Sequence, residues 1–170
     1  ASSSNPSRLL LLPPRHLLLL AANRITSQRF RPITLERPKV LLPLVNVPML
    51  EYTLEFLASN GVEEIFVFCC AHAEQISQYL ENSAWSSVPG LAVHVIVSTA
   101  CISAGEALRL IDHRHVVRSD FILISGDTVA NMDLRRALDA HRERRKKETL
   151  AIMTMCFKPL TQRQREELLG

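Results

Sequence analysis

Apolar residues cluster in five short runs along the chain, and longer stretches with helical periodicity separate the runs. Each run has five to eight residues and is apolar at most positions rather than at alternate ones, which indicates strands that are covered on both faces of a sheet. The predicted strands are residues 17–22, 64–70, 92–97, 121–125 and 150–157.

The stretches between the runs predict helices, because their apolar residues recur three and four positions apart. The predicted helices are residues 48–60, 72–80, 104–112 and 133–147, and a polar helical stretch follows at 161–169. Pro48 suits a first turn, and Asn60-Gly61 suits a helix end. Asp133 can cap the fourth helix, whose strongly basic end is favoured by the helix dipole.

Strands that alternate with helices favour right-handed βαβ units and a parallel sheet. The predicted fold class is therefore α/β, with a Rossmann-like, doubly wound, mostly parallel sheet in the strand order 3-2-1-4-5. In that order the ends of strands 1 and 4 lie side by side at the switch point, where ligands bind in such sheets. Two sequence features fall there, the loop at 23–39 and Gly126-Asp127.

Composition and charge exclude several classes of protein. The chain has 170 residues, of which 47% are hydrophobic, so it is too apolar for a disordered tail. No apolar run is long enough to span a membrane. Five arginines and no acid lie within residues 1–35, and the remainder carries 15 basic against 17 acidic residues. This nearly neutral body argues against direct binding of nucleic acid.

Residues 1–16 predict an irregular N-terminal extension, followed by one partial domain at 17–170. The arginines and the absence of acids also resemble an organellar transit peptide, but Pro13-Pro14 interrupts any amphipathic helix and favours an irregular end. The four cysteines form no C-x-x-C pair, and the histidines lack ligand spacing. We therefore expect reduced thiols in an intracellular protein, and no metal site.

Charge is segregated along the body. Residues 40–108 contain no Lys or Arg, whereas residues 109–147 contain ten basic and six acidic side chains. One interpretation is a face that docks to a charged protein partner, for which the candidates are Arg144, Arg145, Lys146 and Lys147. The other is a solvated helix face.

The loop at 25–39 resembles the signature of sugar-nucleotide pyrophosphorylases, G-x-G-T-R-L-x-P-L-T-x-x-x-P-K. The matching residues are Arg29, Pro32, Thr34, Pro38 and Lys39. Ile25 and Ser27 stand at the two glycine positions, where the enzymes wrap backbone N–H groups around phosphate. A β-branched Ile would resist that backbone conformation, so the site departs from the catalytic pattern.

The same resemblance implies roles for three residues of a vestigial nucleotide site, Arg29, Lys39 and Asp127. Asp127 follows the fourth predicted strand where pyrophosphorylases carry a metal-binding aspartate, although a Gly-Asp pair after a strand is commonly a plain turn. Lys39 could contact a substrate phosphate or be a surface lysine after a turn proline. A Mg²⁺ site would need a second carboxylate from a later part of the domain.

A narrower resemblance rests on four segments, RPITLERPKVLLPLVNVPMLEY, EYTLEFLASNGVEEIFVFCCAHAEQI, RSDFILISGDTVANMDL and ALDAHRERRKKETLAIMTM. Over about residues 30–158 the chain resembles the epsilon subunits of eukaryotic translation initiation factor 2B. That family implies a pyrophosphorylase-like N-terminal domain, then a β-helix, then a helical domain that performs guanine nucleotide exchange. This sequence would contain only the first domain, incomplete at its C-terminus.

The family resemblance implies a cytoplasmic assembly domain that pairs with the gamma-type subunit and helps to hold initiation factor 2, the G-protein substrate. It implies no catalytic residue and no cofactor in this part. Two alternatives stay open, an active sugar-nucleotide pyrophosphorylase and a non-functional fragment from a partial gene model.

Overall fold

The computed structural model describes residues 16–22, 30–98, 101, 103–117 and 119–169, with the backbone alone at 16–22 and 168–169. The chain divides into two compact units, of which the first ends at Met132 and the second begins at Asp133. Most of the N-terminal extension expected at 1–16 lies outside the described residues, and the expected domain limits stay a prediction.

A four-stranded parallel sheet forms the centre of the first unit. Its strands are β1 (His16–Ala22), β4 (Glu64–Cys69), β5 (Ala92–Val97) and β6 (Phe121–Ser125), in the order β5-β4-β1-β6. In the ladder Leu18 lies opposite Phe66 on one side and Leu123 on the other. The order predicted for the first four strands is confirmed, and so is the α/β, Rossmann-like fold class.

The prediction of a fifth strand at 150–157 is wrong. These residues have no regular secondary structure, and Leu150, Ile152 and Phe157 are 80–85% exposed. An apolar run becomes a strand only where a neighbouring strand satisfies its backbone N–H and C=O groups, and no sequence pattern supplies that neighbour.

The helices are α1 (Ile33–Glu36), α2 (Met49–Ser59), α3 (Ala73–Glu81), α4 (Ala104–His113), α5 (Leu134–Lys147) and α6 (Gln162–Leu169). The last five agree closely with the pattern, whereas α1 lies in the segment expected to be a loop, at 23–39. Gly61 ends α2 with a positive φ of 78°, which glycine adopts without strain. Ser103 and Glu106 form a reciprocal capping box at the start of α4, and Asp133 caps α5 through the N–H of Arg135.

The core surrounds β4, which lies between β5 and β1 in the sheet. Phe66 and Phe68 pack against Ala107 and Ile111 of α4. The apolar side chains of α2 are also buried, namely Leu50, Leu54, Phe56 and Leu57. Helix α2 therefore uses its apolar stripe in the core.

A small antiparallel hairpin, absent from the sequence-based prediction, precedes α2. It pairs β2 (Pro43–Leu44) with β3 (Val47–Pro48) through a two-residue turn in which both Val45 and Asn46 have positive φ values. Two prolines in four strand positions argue against strands, which explains why the hairpin was missed. The hydroxyl of Tyr52 in α2 donates to the carbonyl of Leu44 at 2.8 Å and ties the hairpin to the helix.

The part of the chain that the structure describes contains no helix that is both long enough and apolar enough to cross a membrane.

Candidate functional site at the switch point of the sheet

Two of the three residues predicted for the switch point meet there. The ammonium group of Lys39, which follows β1 along the chain, pairs with a carboxylate oxygen of Asp127, which follows β6. The residues are 88 positions apart in sequence, and their side chains are only 19% and 18% exposed. Arg29 lies outside the described residues, as do Ile25 and Ser27.

Both oxygens of Asp127 are engaged. Lys39 donates to Oδ2, and the hydroxyl of Ser125, at the end of β6, donates to Oδ1. Burial by itself would raise the pKa of this carboxyl, but the hydrogen bonds from Lys39 and Ser125 and the charge of Lys39 outweigh it and lower the pKa. Asp127 is therefore an ionised carboxylate at neutral pH.

Lys39 is positioned by its neighbours. It begins a 3₁₀ turn (Lys39–Leu41) in which Val40 is 2% exposed and anchors the backbone, and the preceding Pro38 is also buried. The ammonium group lies 5.0 Å from the centre of the Phe30 ring, within the range of a cation–π contact. The aromatic ring and the carboxylate together hold the charge at the edge of the sheet.

Thr53 of α2 fixes the turn that carries Asp127. Its fully buried hydroxyl lies 2.8 Å from the carbonyl oxygen of Thr128 and 3.2 Å from that of Gly126. A hydroxyl has one hydrogen to donate, so the shorter contact is the main bond. Sequence reasoning missed Thr53, although a threonine on an otherwise apolar helix stripe is a signal that could have marked it.

The segment around α1 is held from its other side by α3. A ring nitrogen of His72 lies 3.2 Å from the carbonyl oxygen of Thr34, and the amide of Gln75 donates to the carbonyl of Glu36 at 2.8 Å. Thr34 is buried and matches the pyrophosphorylase-like pattern. The matching residues of the loop therefore keep a structural frame around the ion pair.

The residues at the switch point do not fit a Mg²⁺ site. The resemblance implies that Asp127 would be a metal ligand, but a positively charged ammonium group is bonded to it and would repel a divalent cation. Across the described ranges, no group of three or more His, Cys, Asp or Glu side chains is placed to hold a metal ion.

A second polar cluster joins α2 to the region of α3. The carboxylate of Glu51 accepts from the hydroxyl of Tyr79 at 2.5 Å and from the indole N–H of Trp85 at 2.6 Å. Burial and the contact with Glu51 raise the pKa of Tyr79. A groove of about 700 Å³ lies beside this cluster, and Arg37, Gln75 and Gln78 contribute to its wall. Trp85 thus anchors the cluster through its hydrogen bond to Glu51.

The four candidate interface cations lie in the last turn of α5 and are exposed. Lys146 contacts Glu143 at 2.6 Å, and Arg144 donates to the hydroxyl of Thr154 at 3.1 Å. These local bonds leave a strongly positive helix end facing solvent, which is compatible with either interpretation of the charge pattern.

Comparison with known proteins identifies the family of the chain. The model of the nucleotidyl transferase family matches residues 26–162. The chain is 53% identical over 132 residues to the translation initiation factor eIF2B subunit epsilon of Dictyostelium discoideum, covering 78% of this chain and 19% of that protein. The same subunit of Schizosaccharomyces pombe is 50% identical over 145 residues, covering 84% and 21%. The chain thus spans about a fifth of the length of these relatives.

Similarity to solved structures supports the fold of this chain but carries no conclusion about its function. A putative glucose-1-phosphate thymidylyltransferase from Bacillus anthracis aligns with a TM-score of 0.64 at 21% identity, over 76% of this chain and 51% of that one. The resemblance to the epsilon subunits and the nucleotidyltransferase-type fold, both predicted from the sequence, are confirmed. The chain belongs to the nucleotidyl transferase family.

Proposed function

We propose that this chain is the N-terminal assembly part of an epsilon-type subunit of translation initiation factor 2B, the exchange factor for initiation factor 2. The observation that carries the proposal is the identity of half or more to two epsilon subunits. It would act in the cytoplasm within a multisubunit complex, with a gamma-type subunit as its direct partner. Nucleotide exchange itself would belong to a helical domain outside this chain.

The geometry of the switch point supports a scaffold rather than a transferase. A transferase would direct a lysine and a carboxylate towards its substrate, whereas Lys39 and Asp127 are bonded to each other. The glycine positions of the phosphate loop also carry Ile25 and Ser27. An exchange factor needs no group that attacks a bond, because it acts by stabilising the nucleotide-free form of its G protein.

The basic end of α5 is the surface that we propose for contact with a partner. Arg144, Arg145, Lys146 and Lys147 lie within one turn and are all exposed. A cluster of like charge attracts an oppositely charged surface over about 8–10 Å at physiological salt. The partner surface would therefore be acidic, on the gamma-type subunit or on initiation factor 2.

Co-expression with the gamma-type subunit and a pull-down would test this proposal. A variant with all four cations of α5 changed to Glu should retain at least tenfold less partner, and the loss should grow as salt is lowered. The matched control changes Arg109, Arg114, Arg163 and Arg165 to Glu, which are also exposed and alter the net charge equally. Equal retention by both variants at low and high salt would refute the α5 surface, and no retention of partner by the unaltered chain would refute the assembly role.

A sugar-nucleotide pyrophosphorylase is the second candidate, because the family model covers residues 26–162 and the positions of Lys39 and Asp127 are kept. It predicts release of pyrophosphate from a nucleoside triphosphate, a sugar 1-phosphate and Mg²⁺. A coupled pyrophosphate assay decides between the two, since the scaffold predicts release no faster than in a blank without protein.

A further inference from the structure

We propose that the Lys39 ammonium group acts as the built-in counter-cation of Asp127, so that an internal ion pair closes the switch point to divalent cations and to phosphate alike. The pair would also fasten the segment after β1 to the turn after β6. The proposal concerns this site alone and does not depend on any partner subunit.

The carboxylate has its negative charge already compensated. One oxygen accepts from Lys39 and the other from Ser125, so no oxygen of Asp127 is left without a donor. A divalent cation on this carboxylate would lie within a few ångströms of the ammonium group and would be repelled by it, the more strongly because both side chains are mostly buried. Binding a cation therefore requires Lys39 to leave.

Lys39 is also poorly placed to serve a phosphate. Its ammonium group is bonded to Asp127 and lies over the ring of Phe30, and its backbone is anchored by the buried Val40. A phosphate oxygen could bind Lys39 only by displacing the carboxylate of Asp127, which is already bonded to the ammonium group and is mostly shielded from water. Each member of the pair thus blocks the ligand that the other would attract.

The pair links two chain segments that are far apart in sequence. The turn at 126–128 is held by Thr53 of α2, and the segment at 34–36 is held by His72 and Gln75. Lys39, three residues after the second of these segments, pairs with Asp127 in the turn and so links the two along a short stretch of chain. Removing one member should therefore loosen the carboxyl edge of the sheet and leave the charge of the other unpaired.

Ligand binding by single variants tests the exclusion. The whole chain and its variants are titrated with Mn²⁺ and, in a separate experiment, with inorganic pyrophosphate. Lys39→Met should bind Mn²⁺ at least tenfold more tightly than the unaltered chain. Asp127→Asn should bind pyrophosphate at least tenfold more tightly. Both gains should vanish in Lys39→Met/Asp127→Asn. The proposed exclusion of cations would be overturned if the unaltered chain and Lys39→Met bound Mn²⁺ equally, including the case in which neither binds it. The proposed exclusion of phosphate would be overturned if the unaltered chain and Asp127→Asn bound pyrophosphate equally.

Thermal unfolding tests the fastening role. We expect each single variant to lower the Tm by about 3–6 °C and the double variant to lower it no further, because the second change removes a charge that the first left unpaired. Lys39→Arg should keep most of the Tm, which separates loss of charge from failure to fold. The exposed pair Lys146–Glu143 is the control, and its removal should shift the Tm by under about 1 °C. Additive losses at Lys39 and Asp127 would show that the two residues act independently and would overturn the proposal.

Discussion

Strand β4 and residues 150–157 have nearly the same apolar character, yet only β4 is a strand. β4 has β1 on one side and β5 on the other, and five of its six residues are buried. Residues 150–157 pair with no strand among the described residues, and Ile152 and Phe157 are at least 80% exposed. Apolar composition gives a segment the tendency to form a strand, but a hydrogen-bonding neighbour decides whether it does so.

Polar side chains in the two units also differ in how deeply they are buried and in what they bind, as two threonines show. Thr53 in the first unit is fully buried and bonds to the backbone of a distant turn. Thr154 in the second unit is partly exposed, and its hydroxyl is hydrogen-bonded to the side chains of His141 and Arg144 in α5. Matched substitutions in the two units therefore measure how much each contact network contributes to stability.

The largest contrast should be between two phenylalanines. Phe68→Ala in β4 removes a side chain that is 1% exposed and should lower the free energy of unfolding by about 3–5 kcal/mol. Phe157→Ala removes one that is 80% exposed and should change it by under about 0.5 kcal/mol. Urea unfolding followed by circular dichroism measures both. Equal losses would mean that residues 150–157 are packed in solution, and would break the comparison.

Two threonines give the next contrast. Thr53→Val should lower the free energy of unfolding by about 1–3 kcal/mol, because the partly buried carbonyl of Thr128 loses its donor. Thr154→Val leaves groups that water can reach, so its effect should stay within about 0.5 kcal/mol. Trp85, the single tryptophan of the chain, reports unfolding of the first unit by its fluorescence. A neutral Thr53→Val would show that the hydroxyl does not hold the turn.

The helix caps should give a smaller difference. Ser103→Ala and Asp133→Ala each remove a side-chain acceptor at a helix start, which typically costs about 1 kcal/mol. Since α4 buries Ala107 and Ile111 in the core, Ser103→Ala should lower the midpoint seen by Trp85. Asp133→Ala should instead speed hydrogen exchange at the first turn of α5. A midpoint lowered equally by both changes would contradict this distinction.

The smallest contrast concerns how the free energy of unfolding falls in acid. The pKa of Asp127 is below its ordinary 3.8 in the folded chain, so this group stabilises the fold above that pH and the gain is lost as pH falls through the folded value. Asp127→Asn should therefore flatten the loss of stability below about pH 4. Hydrogen bonding to Lys146 also lowers the pKa of Glu143, but that group is fully exposed. Glu143→Gln should leave the acid limb unchanged at 0.5 M salt, where exposed pairs are screened.

Much of the fold could be read from local patterns because those patterns have local causes. The ends of α2 and α5 were predicted within a residue or two, since Gly61 and Asp133 act on the backbone beside them. The order of the first four strands followed from the doubly wound arrangement that alternating strands and helices favour. The hairpin at Pro43–Pro48 was missed because its turn uses Val45-Asn46 instead of a glycine, and Val at positive φ is rare.

The candidate site was predicted in part. The resemblance to pyrophosphorylases singled out Lys39 and Asp127, and the predicted strand order placed them at one edge of the sheet. That they bond to each other, and that Ser125, Phe30 and Thr53 hold them there, could not be predicted, because these contacts join segments separated by up to 88 residues. The cationic end of α5 was found from charge alone, and its role stays a prediction.

The sequence by itself determined the βαβ order, the helix limits and the loss of glycine at Ile25 and Ser27. It also carried the resemblance to the epsilon subunits, since identity resides in residue order. The tertiary structure alone decided which apolar runs found a neighbour and whether Lys39 and Asp127 face a ligand or each other. The physical reason is the same in both cases, because a ladder bond and an ion pair each need a partner that chain folding must bring within about 3–4 Å.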